Sequence, residues 1–256
     1  MNYGICNLSI IPLRIEPGDQ SEMVSQVLFG EHFKVLDASR EWRKIRLSYD
    51  KYEGWIDEKQ FLEITKEYYV ALDENPMILS NELVNFVANS DHELLPVSLG
   101  TTLPFYKNNS FSINGQSFSF DGITTSGKRP KENIVKKAFM YLNAPFLWGG
   151  KTPFGIDCSG FTQMVYKLNG YQLQRTSAQQ AVQGEVLSFI EESEPGDLAF
   201  FDNKEGEITH VGIIMENNYI IHVSGKVRID RLDQSGIFNE ERKRHTHKLR
   251  VIKKII

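Results

Sequence analysis

One cysteine and two histidines of this 256-residue chain stand in surroundings that suit nucleophilic catalysis. Cys158 follows a glycine-rich stretch and precedes apolar residues at helical spacing, which predicts that it lies at the amino end of a helix. Unpaired backbone N–H groups and the helix dipole favour a thiolate there and could hold an oxyanion. His210 and His222 lie in the two most apolar predicted strands, where a buried imidazole needs a hydrogen-bond partner. Together these residues predict a thiol nucleophile, a general base and a group that orients the base.

Each of these residues also has a purely structural interpretation. A cysteine at the start of a helix often serves packing, and two buried histidines can be a satisfied pair within a core. A metal site that adds Asp157 to the three side chains is a further alternative, but structural zinc sites usually place their ligands in close pairs, which this set lacks. No metal or other cofactor is therefore predicted. The remaining histidines have polar neighbours and are predicted to lie at the surface: His32, His92, His245 and His247.

The composition is that of an ordinary globular protein without a strong charge bias. Its formal net charge is -4, so a partner that requires a field of positive charge, such as nucleic acid or an anionic membrane surface, is not expected. Only Cys6 and Cys158 are present, which is too few for a disulfide framework and favours a reducing compartment. Residues 1–6 lack the pattern of a signal peptide, and no apolar run of membrane length follows. We expect a cytoplasmic monomer, or an exported protein if the sequence as given has lost a leader.

The first half of the chain has the short, closely spaced strands of small β-barrels. Residues 1–65 are predicted to form one barrel, with turns rich in proline, glycine and aspartate. Weaker signals over residues 66–125, with a hairpin turn at Asn114-Gly115, predict a second, degenerate barrel, for which an irregular linker is the alternative. The strands predicted in the first barrel are Ile10–Arg14, Glu31–Leu36, Trp42–Leu47 and Gly54–Ile56.

The second half, residues 126–256, changes to helices followed by strands. Helices are predicted around Ile134–Leu142, directly after Cys158, and over Ser177–Leu187. Helices followed by an antiparallel sheet are typical of an α+β fold, and a nucleophile on a helix that faces histidines on the sheet is the papain-like arrangement. The predicted strands are Asp197–Phe201, Ile208–Met215, Tyr219–Val223, Val227–Ile229 and Leu249–Ile255.

The catalytic interpretation requires that the hairpin place both histidines on the same face of the sheet. Neighbouring residues of a strand point to opposite faces, so a change of one residue in the register turns a side chain over. A two-residue turn at Asn217-Asn218 would place the histidines on opposite faces. A three-residue loop, Glu216–Asn218, would pair His222 with Gly212, a diagonal neighbour of His210. We therefore predict the odd-length loop or a bulge.

Several short motifs of the second half resemble the NlpC/p60 family of bacterial cell-wall cysteine endopeptidases, in the family's order and spacing. In one subgroup of that family a bacterial SH3-type domain precedes the peptidase, and parts of the first half resemble it. Those parts are Arg14-Ile15-Glu16-Pro17, Ser21–Gln26 and Tyr52–Ile56. The peptidase motifs are Trp148-Gly149-Gly150, Asp157-Cys158-Ser159-Gly160-Phe161, Leu173-Gln174-Arg175 with Gln180, Pro195–Phe201, Thr209-His210-Val211-Gly212 and Ile221-His222.

The resemblance implies an enzyme that acts on murein peptides. The implied activity is that of a γ-D-glutamyl-L-diamino-acid endopeptidase, which releases L-Ala-γ-D-Glu from peptides with a free amino terminus. It further implies Cys158 as nucleophile, His210 as general base and His222 as the orienting group. The alternative is a non-catalytic module that binds cell-wall peptides, which the presence of all three side chains disfavours.

The resemblance also implies a substrate site. Arg175 and Ser177 are placed at the carboxylate of the γ-D-Glu residue, which suits the fork of a guanidinium group. Tyr52, Asp157 and Glu22 are expected to hold the free ammonium group of the substrate, with the first barrel closing the site. The implied substrate-binding residues are Tyr52, Glu22, Asp157, Ser159, Arg175, Ser177 and Trp148.

One residue departs from the family pattern. Two positions before Trp148, many relatives carry a tyrosine whose hydroxyl steadies the oxyanion, and this chain has Phe146. The oxyanion hole must then rest on backbone N–H groups at Cys158, and we expect it to be weaker or rearranged.

Overall fold

A computed structural model describes residues 2–256, which divide into two compact units. The first unit ends at Gly127 and the second spans Lys128–Ile256. Within the described residues, no helix has the length and apolar character needed to cross a membrane.

A seven-stranded antiparallel sheet with the order β3-β2-β6-β5-β4-β1-β7 begins the first unit. The predicted strands Ile10–Arg14 and Trp42–Leu47 are confirmed as β2 and β5, and alternate residues such as Ile11 and Leu13 are fully buried. This is the pattern of strands with one face in a core. The strands are β1 Asn2–Ile5, β2 Ile10–Arg14, β3 Met23–Leu28, β4 His32–Ser39, β5 Trp42–Leu47, β6 Glu53–Asp57 and β7 Leu62–Ile64, with a 3-10 turn at Glu58–Gln60.

The rest of the first unit differs from the predicted second barrel. A helix, α1 (Lys66–Glu74), begins directly after β7, where the Thr65 side chain accepts a hydrogen bond from the Tyr68 N–H and caps it. The strands that follow are β8 Ile78–Ser80, β9 Val84–Asn89, β10 Leu94–Ser98, β11 Ser110–Ile113, β12 Gln116–Ser119 and β13 Thr124–Ser126. They form a four-stranded sheet, β10-β9-β12-β11, and a separate β13-β8 ladder, and no recorded pairing among the described residues closes them into a barrel.

One hydrophobic core joins residues on both sides of the predicted boundary at residue 65. Tyr3 and Ile5 of β1 pack in the same buried cluster as Leu72 of α1 and Phe111 and Phe118 of the later hairpin. That hairpin turns at Asn114-Gly115, both with positive φ, and its two-residue turn confirms the prediction. Strands this short bury too little apolar surface to form a separate core, and they share the core of the first sheet instead.

The second unit combines helices with a closed antiparallel barrel. The sheet runs in the order β16-β22-β17-β18-β19-β20-β21, and a further pairing between β21 and β22 closes strands β17–β22 on themselves. The helices are α2 Glu132–Phe139, α3 Cys158–Leu168 and α4 Ser177–Gln180, with 3-10 turns at Ile190–Glu192 and Glu216–Asn218. The strands are β14 Lys151–Thr152, β15 Gly155–Ile156, β16 Glu185–Leu187, β17 Leu198–Asp202, β18 Ile208–Met215, β19 Tyr219–Ser224, β20 Lys226–Asp233, β21 Gly236–Asn239 and β22 Arg244–Lys254.

Helix α3 is almost wholly buried and packs on β18 and β19. Its first turn needs a glycine, because a Cβ atom at Gly160 would lie 2.3 Å from the carbonyl oxygen of Gly150. The helix predicted over Ser177–Leu187 is wrong beyond its first turn: α4 ends at Gln180, and residues from Glu185 form β16 on the edge of the sheet. The backbone of Glu185–Leu187 pairs with β22, and this pairing overrides the helical spacing of the apolar residues.

Candidate active site

Cys158 is the first residue of α3, as the sequence predicts. The preceding residue, Asp157, caps the helix, and its carboxylate accepts a hydrogen bond of 2.6 Å from the Gly160 N–H. Directly before them, β14 and β15 form a two-residue ladder that leads the chain into the helix. The thiol is half-buried. It therefore combines a defined position with access to solvent.

The two histidines lie on one face of the β18–β19 hairpin. Residues 216–218 form a three-residue loop, with positive φ at Asn217 and Asn218, and His222 pairs with Gly212. The predicted odd-length loop is confirmed. Gly212 makes room for the histidine pair, because a Cβ atom there would lie 2.8 Å from the Cβ of His222.

The histidines are linked to each other and to a carboxylate by hydrogen bonds. His210 Nε2 and His222 Nδ1 are 2.9 Å apart, and His222 Nε2 is 3.0 Å from the Asp230 carboxylate. Both rings are buried. Burial, followed by the neighbouring His222 and His247, holds the pKa of His210 well below its usual range. Burial also lowers the pKa of His222, so both imidazoles are neutral near pH 7.

The thiol of Cys158 lies beside the strand that carries His210. Its Sγ is 3.9 Å from the carbonyl oxygen of Thr209, and the Val211 N–H also points at the sulfur, so the residues on both sides of His210 frame it. Burial, followed by the charge of Asp157, raises the pKa of Cys158 to about 12. This raised pKa favours a neutral thiol in the resting state, whereas the helix position predicts a thiolate. The capping carboxylate stands at the same helix end and opposes the dipole.

A pH profile of alkylation tests this resting state. Because the raised pKa keeps Cys158 protonated, we expect its iodoacetamide reaction rate to go on rising above pH 9. A thiolate–imidazolium pair would instead give a plateau from acidic to neutral pH, and that profile would contradict the neutral pair. Labelling should still be faster than at Cys6, which is fully buried. Mass spectrometry of the two cysteine peptides measures both rates.

Asp157 and Arg175 form a buried ion pair. Arg175 Nη2 lies 2.6 Å from one carboxylate oxygen of Asp157 and Nη1 lies 3.1 Å from the other. Ser159 connects the two, since its hydroxyl donates to Asp157 and accepts from Arg175. The Asp157 carboxylate also accepts the N–H groups of Gly149 and Gly160, so its lone-pair directions are occupied.

This pairing bears on two sequence-based expectations about substrate binding, and both stay predictions. The Arg175 guanidinium binds a carboxylate of the protein, and only 2% of its surface is exposed, which disfavours the predicted contact with a substrate carboxylate. Asp157 contributes its charge to the site, but its carboxylate oxygens already accept hydrogen bonds from other groups of the protein. Both residues hold the first turn of α3 in place, which positions Cys158 indirectly.

The other predicted site residues lie as follows. Trp148 is exposed in the loop before β14, and Ser177 is the first residue of α4, where its hydroxyl donates to the Ile208 carbonyl oxygen at 3.4 Å. Phe146 is exposed and forms an isolated parallel β-bridge with Ile156, which lies two residues before Cys158. Tyr52, half-buried, and Glu22, exposed, belong to the first unit, and their contribution to a substrate site stays a prediction.

Sequence reasoning missed three residues near His210. Asp230 accepts from His222, and Arg228 Nη2 donates to the other carboxylate oxygen of Asp230 at 3.0 Å. His247, expected at the surface, is half-buried, and its ring stacks on that of His210 at a centroid distance of 4.2 Å. The signal for Asp230 was available, because a turn at Gly225 places it opposite Ile220, two residues from His222 on the same face.

The three neighbouring histidines do not have the orientation of a metal site. One nitrogen each of His210, His222 and His247 lies within 4.8 Å of the others. The rings of His210 and His247 are nearly parallel, with 24° between their planes. A ring nitrogen binds a metal in the plane of its own ring, so stacked rings cannot direct both lone pairs at one ion. In this arrangement His210 and His247 form a ring stack, and the His222 ring is nearly perpendicular to both.

Comparison with known proteins agrees with this geometry. Residues 143–246 match the NlpC/P60 family, and residues 13–61 match the bacterial dipeptidyl-peptidase Sh3 domain. A Bacillus subtilis protein named gamma-D-glutamyl-L-lysine dipeptidyl-peptidase is 30% identical over 215 residues, which cover 77% of this chain and 71% of that protein. The chain belongs to the NlpC/P60 family. It carries an NlpC/P60 domain after an SH3-type domain.

Two further NlpC/P60 relatives extend the likeness over most of the chain. A Bacillus cereus protein, also named gamma-D-glutamyl-L-lysine dipeptidyl-peptidase, is 28% identical over 251 residues, covering 86% of this chain and 74% of that protein. The crystal structure of an NlpC/P60 family protein from Bacillus cereus matches with a TM-score of 0.81 over 99% of both chains, at 21% identity, which shows the shared fold. The family and its relatives point to a cysteine peptidase.

Proposed function

We propose that this protein is a cysteine endopeptidase that hydrolyses the bond between γ-D-Glu and the diamino acid of murein peptides with a free N-terminal L-Ala. The observation that carries the proposal is Cys158 at the start of α3, beside a strand whose His210 is hydrogen-bonded to a second histidine. A nucleophile, a base and a group that orients the base are the parts of acyl transfer to a thiol. Relatives named for γ-D-glutamyl-L-lysine cleavage supply the substrate class.

The resting site contains a neutral thiol and a neutral imidazole. His210 Nε2 is bonded to His222, so Nδ1 is the ring nitrogen left to accept the thiol proton as Sγ attacks the γ-carbonyl carbon. The proton then passes from His210 to the amine of the leaving diamino acid, and a thioester to Cys158 remains. His210 next takes a proton from water, the hydroxide attacks the thioester, and the dipeptide leaves as His210 returns the proton to the sulfur.

Digestion of a defined peptide tests this function. L-Ala-γ-D-Glu-diaminopimelate, its L-lysine counterpart and the N-acetylated form of each are incubated with the whole chain, and products are identified by mass spectrometry. We expect release of L-Ala-D-Glu and the free diamino acid from the unblocked peptides. Binding of these peptides without cleavage would instead favour a module that only binds cell-wall peptides.

We further propose that the first unit selects substrates with a free amino terminus, through Tyr52 and Glu22. A phenol hydroxyl and a carboxylate can compensate a buried ammonium group, whereas an acetylated nitrogen has lost its charge. Because acetylation removes the charge that these groups would compensate, we expect the acetylated peptide to be cleaved about 100-fold more slowly.

Replacing Tyr52 tests this selection. Tyr52→Ala should reduce kcat/KM for the free peptide and narrow the difference between the two substrates. Tyr106→Ala is a matched control, since Tyr106 is a tyrosine of the same unit whose hydroxyl bonds within it, to Phe120. Equal rates on both peptides in the unaltered chain, or an unchanged preference in Tyr52→Ala, would contradict this role of the first unit.

A further inference from the structure

Behind the two histidines, the hydrogen-bonded chain continues through Asp230 and Arg228. His222 Nε2 is 3.0 Å from Asp230 Oδ2, Arg228 Nε is 2.7 Å from the same oxygen, and Arg228 Nη2 is 3.0 Å from Oδ1. Only 4% of the Asp230 side chain is exposed. Arg228 is directly opposite His222 in the β19–β20 register, and Asp230 is opposite Ile220. Both side chains therefore come from a rigid strand on the face that carries the histidines.

We propose that Asp230 is a positioning residue that holds His210 in the one tautomer able to act as a base. This inference rests on the proposed function for its effect on hydrolysis. The tautomer itself follows from the hydrogen bonds alone, since each ring nitrogen of a neutral imidazole is either a donor or an acceptor.

The assignment starts at the carboxylate. Asp230 can only accept, so the Nε2 of His222 carries the proton of that bond and its Nδ1 is an acceptor. His210 Nε2 must then donate to His222 Nδ1, which leaves the lone pair of His210 on Nδ1. That nitrogen is the one free to take the thiol proton from Cys158. If His222 carried its proton on Nδ1, His210 would hold its own on Nδ1 and could not accept.

The carboxylate is kept ionised for this task. Burial alone would raise the pKa of Asp230, but hydrogen bonds from His222 and Arg228 outweigh it and lower the pKa. Arg228 also restricts rotation, because its Nη2 donates to Oδ1 and its Nε lies 2.7 Å from Oδ2 as an ion pair. A guanidinium fork of this kind fixes the plane of a carboxylate.

Asp230→Asn is the decisive variant. Arg228 nitrogens lie 2.7 Å from one oxygen and 3.0 Å from the other, so either orientation of the amide brings its NH2 group against the guanidinium, and one orientation presents NH2 to His222 as well. His222 then loses its fixed acceptor at Nε2. We expect kcat to fall by about tenfold to 100-fold, with KM nearly unchanged because Asp230 does not reach the substrate.

Asp233→Asn is the matched control. Asp233 lies on the same strand and also pairs with a histidine, His245, at 2.8 Å, but about half of its side chain is exposed. Its replacement should leave kcat unchanged. Arg228→Gln keeps the His222–Asp230 bond and removes the fork, so it should lower kcat less than Asp230→Asn does. It also tests the proposal if Asp230→Asn does not fold.

Nitrogen-15 NMR of the histidine rings separates this inference from the proposed function, because it needs no substrate. We expect His210 to be protonated on Nε2 in the unaltered chain and in Asp233→Asn, and to be a mixture of tautomers in Asp230→Asn. Two results would overturn the proposal: His210 protonated on Nδ1 in the unaltered chain, or an unchanged tautomer in a folded Asp230→Asn. If His210 is protonated on Nε2 as expected but the protein cleaves no murein peptide, the proposed function is refuted and the inference about Asp230 is not.

A double-mutant cycle gives a second, kinetic test. If Asp230 acts through His222, its replacement should matter far less when His222→Gln has already removed the second ring. Additive losses of kcat in the double variant would assign Asp230 a role independent of His222 and contradict the proposal.

Discussion

Replacing Cys158 with alanine is expected to lower the rate of peptide cleavage by about 10⁴-fold or more, because no other group can form the thioester. The fold should survive this change. The sulfur makes weak hydrogen bonds, such as that of 3.9 Å to the Thr209 carbonyl oxygen, and the cap of α3 comes from Asp157. We expect the free energy of unfolding to change by no more than about 1 kcal/mol.

Cleavage of the L-Ala-γ-D-Glu-diaminopimelate peptide, followed by mass spectrometry, measures the loss. Cys6→Ala is the control, since Cys6 is fully buried in the first unit and should leave the rate unchanged. Residual cleavage by Cys158→Ala within tenfold of the unaltered chain would show that another group is the nucleophile. A variant with lost activity and lost structure would be uninformative, so circular dichroism accompanies the assay.

The second large effect concerns stability, and it arises at the Asp157–Arg175 pair. Arg175→Ala removes the cation from a buried pair and leaves the Asp157 carboxylate with only N–H and O–H donors. Removing one partner of such a pair typically costs about 3–5 kcal/mol. We expect the second unit to lose stability on this scale, and cleavage to fall because the first turn of α3 is no longer fixed.

Hydrogen exchange of the α3 amides reports this loss within the second unit alone. The Gly160 N–H, which donates to Asp157, should exchange faster by a factor of about 100 or more, as the lost free energy of unfolding dictates. Arg231→Ala is the control in the same unit, since its pair with Glu240 spans 3.6 Å at the surface and should contribute under about 1 kcal/mol. Exchange unchanged by Arg175→Ala would contradict a structural role for the pair.

Patterns that depend on near neighbours were readable in the sequence. The strand Ile208–Met215, the Asn114-Gly115 turn and the start of α3 at Cys158 follow from side-chain periodicity and local backbone preference. The loop at 216–218 was deduced from one chemical requirement, a shared face for both histidines, and the register confirms it. An odd loop was the simplest solution compatible with the period of two along a strand.

The sequence-based prediction is wrong in two segments where tertiary contacts override the local preference of the residues. Residues 66–74 were assigned to a second barrel, yet they form α1, which buries Tyr69 and Leu72. Residues beyond Gln180 were assigned to a helix, yet Glu185–Leu187 pairs with β22 at the edge of the sheet. In both segments the partner surface decides which local preference prevails, and that surface belongs to distant parts of the chain.

The residue types alone identified a thiol and two imidazoles suited to acyl transfer, but the protonation of that site depends on the tertiary structure. Asp157 lies 18 residues from Arg175, and its carboxylate pairs with that guanidinium. Burial, followed by the charge of this carboxylate, raises the pKa of Cys158. Asp230, eight residues beyond His222, reaches it only because β20 folds back beside β19. Charge and burial act through space over a few ångströms. The position of a proton in the site therefore depends on which distant segments the fold brings together.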